Sequence, residues 1–450
     1  MTTMIDPDWA WSTFEPTDRT WNLRSAAHLH RRAGFGATRT ELQETRDAGP
    51  QASVDRLLQL TDEPDDFLRQ SEQLARAALA TGDPRQLSAW WAYRMLSTPA
   101  QLLEKLTLFW HGHFATSAEK VDDAELMHTQ NQLLRQHAVG CFSDLLLQIS
   151  RDPAMLIYLD SASNRKAHPN ENYAREIMEL FCLGEGHYTE SDIRELARCF
   201  TGWEVRRKKF RFNRYQHDTG EKSILGQTGK FGGEQGVRIV TEQKSAAEFI
   251  ASRLVRFFVM DEPVADARLV GPLARELRDQ DFQVHSTVRR ILTSNLFYSE
   301  HAFARKVRSP VELAVGFLRS LDGSTNAFEL AESVRRIGQG LFYPPSVKGW
   351  DGGRTWINSS TLLGRSNLIR RLVANPRTRF QRLAVEDYFP QASVRTTDDL
   401  ISLLEEVLFA VPVPEAAKQR VRALGGGTLD RDRLIECIHA LCTLPEFQLG

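Results

Sequence analysis

Apolar residues return every three or four positions along most of the 450-residue chain, the spacing of a helix that buries one face. Over residues 101–110 that face carries Leu102, Leu103, Leu106 and Phe109. Over residues 131–149 it carries Leu133, Leu134, Ala138, Phe142, Leu145 and Leu146. The same period recurs over 246–258, 288–296, 310–321, 327–337 and 400–408. Strand-like alternation is scarce and clearest at 210–215, which reads as a short hairpin. The pattern predicts an all-α, mostly helical protein with a small β-hairpin and long irregular loops. Residues 1–22, rich in Asp, Pro, Thr and Trp, form an irregular segment expected on the surface. A helical half follows over 23–203, then a basic and glycine-rich hairpin or loop insert over 204–240. A second helical half, 241–450, is expected to form one unit with the first; its loop at 341–360 holds Pro344, Pro345, Gly349, Trp350 and Trp356.

Residues 170–203 are the most informative stretch. Pro169 and Asn170 suit a helix start, with Asn170 as the cap. Ala174, Ile177, Met178 and Phe181 then form an apolar arc, and Glu171, Asn172, Arg175, Glu176 and Glu179 fill the other side. Glu171–Arg175 and Arg175–Glu179 are i,i+4 pairs. Gly184 and Gly186 stop the helix, and Thr189 with Asp192 opens the next, over 190–200. Such a ladder is either a solvated face laced with ion pairs or a cluster of carboxylates lining a cleft. In the second case Glu176 and Glu179 bind a cation or move protons, and Arg175 orients them or an anionic substrate group. Asn172 would add a ligand contact.

Other segments offer weaker chemistry. His111-Gly112-His113 has the spacing at which two imidazoles of an extended segment hold one metal. On a continuing helix the two rings would diverge, so this reading needs Gly112 to break the helix. His28-Leu29-His30 followed by Arg31-Arg32 reads most simply as a basic surface turn. His217-Asp218 with Lys222 is either an acid–base pair with a cationic partner or a loop anchor. Lys348 and Trp350 lie in a turn that either lines a ligand cleft or pins a long loop. The basic aromatic run 206–214 suits a nucleic-acid backbone or a solvated hairpin.

Composition narrows the choice. The formal net charge is −1, which argues against a dedicated nucleic-acid protein. No apolar run reaches the length of a membrane span, and the first residues lack the pattern of a secretory signal, so a cytoplasmic location is expected. The five cysteines show no CxxC spacing and read as reduced thiols, mostly in the core.

Long blocks carry a resemblance. Residues 168–181, then Leu183-Gly184-Glu185-Gly186, Tyr188-Thr189-Glu190 and Phe200-Thr201-Gly202-Trp203, closely resemble the signature of the bacterial family called domain of unknown function 1800. Residues 31–36, 109–116, 217–226, 344–350 and 444–447 agree with it. The chain departs from the usual pattern at Gly112, where asparagine is common, and at Cys182 and His187. The resemblance implies no catalytic role. It implies members that are often exported and often encoded beside proteins with a sulfatase-like fold, which makes such a protein a candidate partner. The leading functional expectation is a hydrolase-like enzyme, with a divalent metal as the candidate cofactor. His111, His113, Arg175, Glu176 and Glu179 would form its cleft, with His217, Asp218 and Lys348 at the rim. The alternatives are a non-catalytic partner or assembly protein, and nucleic-acid binding through the basic hairpin.

Overall fold

Helices begin where the sequence offers a capping side chain. Thr189 and Asp192 form the expected capping box of helix Glu190–Cys199. Ser309 and Glu312 form another at Pro310–Ser320, and that box also fixes Glu312, which matters below. The computed structural model describes residues 5–60, 63–426 and 429–450, and these are mostly helical, as the periodicity predicts. Among them, strands form only small two-stranded antiparallel sheets. The hairpin expected near 210–215 pairs Trp203–Arg206 with Lys209–Phe212, with Trp203 opposite Phe212. A second hairpin, Lys222–Ile224 with Gln227–Gly229, and helix Gly233–Thr241 complete the insert.

Two apolar cores organise the helices. The first gathers Phe142, Tyr173, Phe181, Leu196, Leu254 and Leu296. The second gathers Trp91, Leu313, Phe317, Leu368, Leu404 and Ile438. Helices Leu23–Ala33 and Gln101–His113 belong to both. Leu29 and Ala33 enter the first core while Ala26 and Ala27 enter the second. Likewise Leu102, Leu106, Phe109 and Trp110 enter the first, and Leu108 the second. A seam between the cores therefore runs along these two helices.

The N-terminal segment differs from the surface expectation. Helix Pro7–Trp11 leads into a stretch whose Trp11, Phe14 and Trp21 are buried. The Trp11 indole donates to the Leu269 carbonyl at 2.6 Å, and that of Trp21 to the Arg46 carbonyl at 2.8 Å. Large aromatics with a satisfied polar edge are strong anchors, which outweighs the irregular backbone around them. All five cysteines are free thiols; Cys141 is half-buried and the others are buried. Among the described residues no helix is long and apolar enough to cross a membrane.

Candidate functional site

The helix of the signature is not a uniform α-helix. It is α-helical over Asn172–Glu176 and becomes a π-helix over Ile177–Cys182. The predicted arc of Ala174, Ile177, Met178 and Phe181 is buried, as periodicity requires. The expected Arg175–Glu179 pair does not form. Arg175 instead grips Glu190 through two bonds of 2.8 Å and lies 3.6 Å from Glu171. Glu179 accepts from the Tyr188 hydroxyl at 3.0 Å. Asn170 caps from one residue further out than expected, its side chain accepting from the Asn172 amide at 2.9 Å. Asn172 itself is exposed.

Glu176 is half-buried and makes no hydrogen bond. Burial, then the neighbouring Glu179, push its carboxyl above the usual range, against the opposing charges of Arg175 and Lys348. Thus the structure brings Arg175, Glu176, Glu179 and the exposed Lys348 into one polar region. It leaves the other sequence candidates elsewhere.

His217, Asp218 and Lys222 build a loop anchor. The His217 Nδ1–H donates to the Thr201 carbonyl at 2.9 Å. Asp218 takes bonds of 2.7 and 3.3 Å from Arg198. Lys222 is buried and donates to the carbonyls of Asp218 and Gly220. These bonds tie the loop that carries the three residues to the end of helix Glu190–Cys199.

The two imidazoles of residues 111–113 do not converge. The helix runs unbroken from Gln101 through His113, so positions i and i+2 point about 200° apart. The His111 Nε2 accepts from the Phe342 amide at 3.2 Å, and its ring sits among Trp91, Phe342 and Trp350. His113 donates from Nε2 to the Phe181 carbonyl at 2.9 Å and so caps the π-helical end of the signature helix. Burial lowers His111 to about 3 and His113 well below its ordinary value, keeping both neutral. Among the described residues no group of three or more His, Cys, Asp or Glu side chains is placed to hold a metal.

His28, Arg31 and Arg32, expected in a basic surface turn, are buried within helix Leu23–Ala33. Two charges of the basic hairpin are paired: Lys208 with Asp123 and Glu125, and Arg211 with Glu204. Phe210 is half-buried beneath Arg151, while Phe212 and Tyr215 stay exposed.

A cleft of about 130 Å³ opens on the seam. Its walls include Phe109 and Gly112, then Arg253, Arg256 and Phe257, then Asp261 and Lys306, and finally Trp350 and Trp356. Gly349 makes this assembly possible. It has φ +75°, and a Cβ there would lie 2.0 Å from the Gly112 carbonyl oxygen. The backbone of the Trp350 loop is thus pressed onto the end of the Gln101–His113 helix. Lys306 pairs with Asp261 at 2.8 Å, and Arg256 donates to the Asp351 carbonyl at 2.7 Å. Arg253 has no hydrogen-bond acceptor and no ion pair, and burial followed by Arg256 lowers its guanidinium to about 10. The buried Trp350 indole N–H is also without an acceptor. Trp350 and Trp356 were legible in the sequence as tryptophans of one glycine-rich loop; Arg253, Arg256, Asp261 and Lys306 were not. These four arrive from separate helices and loops, and no local pattern marks them.

A helical protein with two cores, and a cationic, tryptophan-walled cleft on their seam, is the class these features define. The chain belongs to the family described as Protein of unknown function (DUF1800), whose model matches residues 28–449. Comparison with curated proteins and with solved structures gives no match. Three of the blocks that carried the resemblance, at 31–36, 109–116 and 344–350, meet along the seam.

Proposed function

We propose that this protein binds a small acidic molecule, a carboxylate or phosphate ester, in the cleft between Arg253 and Trp350. The observation that carries this reading is the unpartnered guanidinium of Arg253 in the cleft wall, beside the unpartnered indole donor of Trp350. Arg253 is half-buried, and an anionic ligand would give its guanidinium the charge-assisted bonds that no protein group supplies. The aromatic walls offer the apolar surface that such sites use for the rest of a ligand.

Arg253→Met tests it. Binding of mono- and dicarboxylates and phosphate esters, measured by calorimetry, should weaken about 10- to 100-fold, the value of a charge-assisted hydrogen bond. The melting temperature should hold or rise, because no internal partner is orphaned. Failure of every acid in such a panel to bind the unaltered protein would sink the reading.

A second reading, hydrolysis with Glu176 as proton donor or acceptor, is favoured by the raised, hydrogen-bond-free carboxyl beside Glu179. Glu176 does not line the cleft, so the two readings separate. In a hydrolase screen, Glu176→Gln should cut turnover by about 10²- to 10⁴-fold without changing the melting temperature. Equal turnover in the variant would eliminate this role.

A further inference from the structure

A second cavity on the same seam poses a sharper electrostatic problem. Arg31 is 8% exposed, and none of its guanidinium nitrogens has a hydrogen-bond partner. The charged groups that act on it are Arg308, Arg32 and Arg24, all of its own sign. Arg32 uses only Nη2, which donates to the Ala302 carbonyl; its Nε and Nη1 are buried and unpartnered. Arg308 donates only to backbone, the carbonyls of Leu449 and Leu408, and lies over the Phe447 ring. The carboxylates whose charge reaches this group, Asp261 and Glu312, are already committed to Lys306 and Lys105.

Arg31, Arg32, Lys306, Arg308 and Glu312 line a cavity of about 20 Å³, with Phe35 and Gly316 in its wall. That is room for one water-sized sphere. A guanidinium stays charged at any pH a protein meets, so the arginines cannot relieve the arrangement by losing protons. Water in the cavity would satisfy a donor or two but would leave the repulsion among the arginines uncompensated. The Glu312 carboxylate on the wall is neutralised by Lys105 and by the Ser309 amide, which donates to it at 2.8 Å.

We propose that this cavity is an anion site that takes one small monovalent ion of chloride size, held by the Arg31, Arg32 and Arg308 guanidinium groups. Its small volume favours a halide over the larger sulfate and phosphate. The site stands apart from the acid-binding cleft, although Lys306 and Glu312 border both. A bound anion would offset the charge of the three arginines behind the cleft floor.

Protein exchanged into gluconate and titrated at constant ionic strength tests the site. Chloride and bromide should raise the melting temperature with a saturating dependence, as expected for a ligand that binds only the folded state. Sulfate should give no saturating rise. Arg31→Leu should weaken the halide response about 10- to 100-fold, the loss of a charge-assisted bond. Arg253→Met, in the neighbouring cleft, should keep it. A wild-type midpoint indifferent to halide, a saturating rise with sulfate alone, or an unchanged response in Arg31→Leu would each overturn the assignment. Should Arg31→Leu not fold, crystals of the unaltered protein grown in bromide decide the matter. An anomalous peak within hydrogen-bonding reach of Arg31 and Arg308 upholds the site, and a cavity filled by water overturns it.

Discussion

Replacing Glu104 by alanine is expected to cost about 3–5 kcal/mol of folding stability, the usual penalty for removing one member of a buried ion network. Glu104 lies on the shared Gln101–His113 helix and is 0% exposed. It accepts from Arg94 at 2.7 Å, from Arg135 at 2.7 and 3.0 Å, and from the Trp91 indole at 2.8 Å. Without it, Arg135 loses its ion-pair partner, and Arg94 keeps only Glu63. Urea unfolding followed by circular dichroism measures the loss; a change under about 1 kcal/mol would show that the arginines find other partners.

The same carboxylate sets a pH dependence. Burial opposes its charge, but Arg135 and Arg94 win and hold it down to about 2, against 4.5 for an ordinary glutamate. A depressed carboxyl stabilises the fold above its unfolded value, so this contribution is fully present above about pH 4.5. It is lost as pH falls from there towards 2. Glu104→Ala should therefore unfold with a shallower acid dependence in that window.

Gly349→Ala is the second large effect, expected at about 2–4 kcal/mol. The new methyl would meet both penalties at once: a φ of +75° and a backbone oxygen of Gly112 at 2.0 Å. No flexible side chain stands there to yield. Gly352 provides the comparison, since it shares the unfavourable φ, +73°, but its nearest neighbour is the Trp356 indole nitrogen at 3.9 Å. Gly352→Ala should cost about 1–3 kcal/mol, the strain of its φ +73°, ψ −171° backbone with no clash added. Thermal melting of the two variants, with tryptophan fluorescence to follow the loop, distinguishes them. Equal losses would mean that the contact between Gly112 and Gly349 does not latch the loop.

The helices were legible because burial of one face imposes its period on the chain. The capping box at Thr189 and the stops at Gly184 and Gly186 were legible for equally local reasons. The π turn was hidden, since the buried arc of Ala174, Ile177, Met178 and Phe181 fits either geometry. Arg31 and Arg32 were misread for a physical reason. Arginine is rarely buried without a partner, so a basic run reads as surface. The cleft was hidden because Arg253, Lys306 and the Trp350–Trp356 loop are distant in sequence and the charged residues are individually ordinary. No periodicity records which helix faces a seam.

That seam has a consequence for how the molecule comes apart. Because helices Leu23–Ala33 and Gln101–His113 each place side chains in both cores, neither core retains its full lining if the other dissolves. The chain should melt as a single cooperative body, and a cut between Ala302 and Val311 should release no fragment that stays folded.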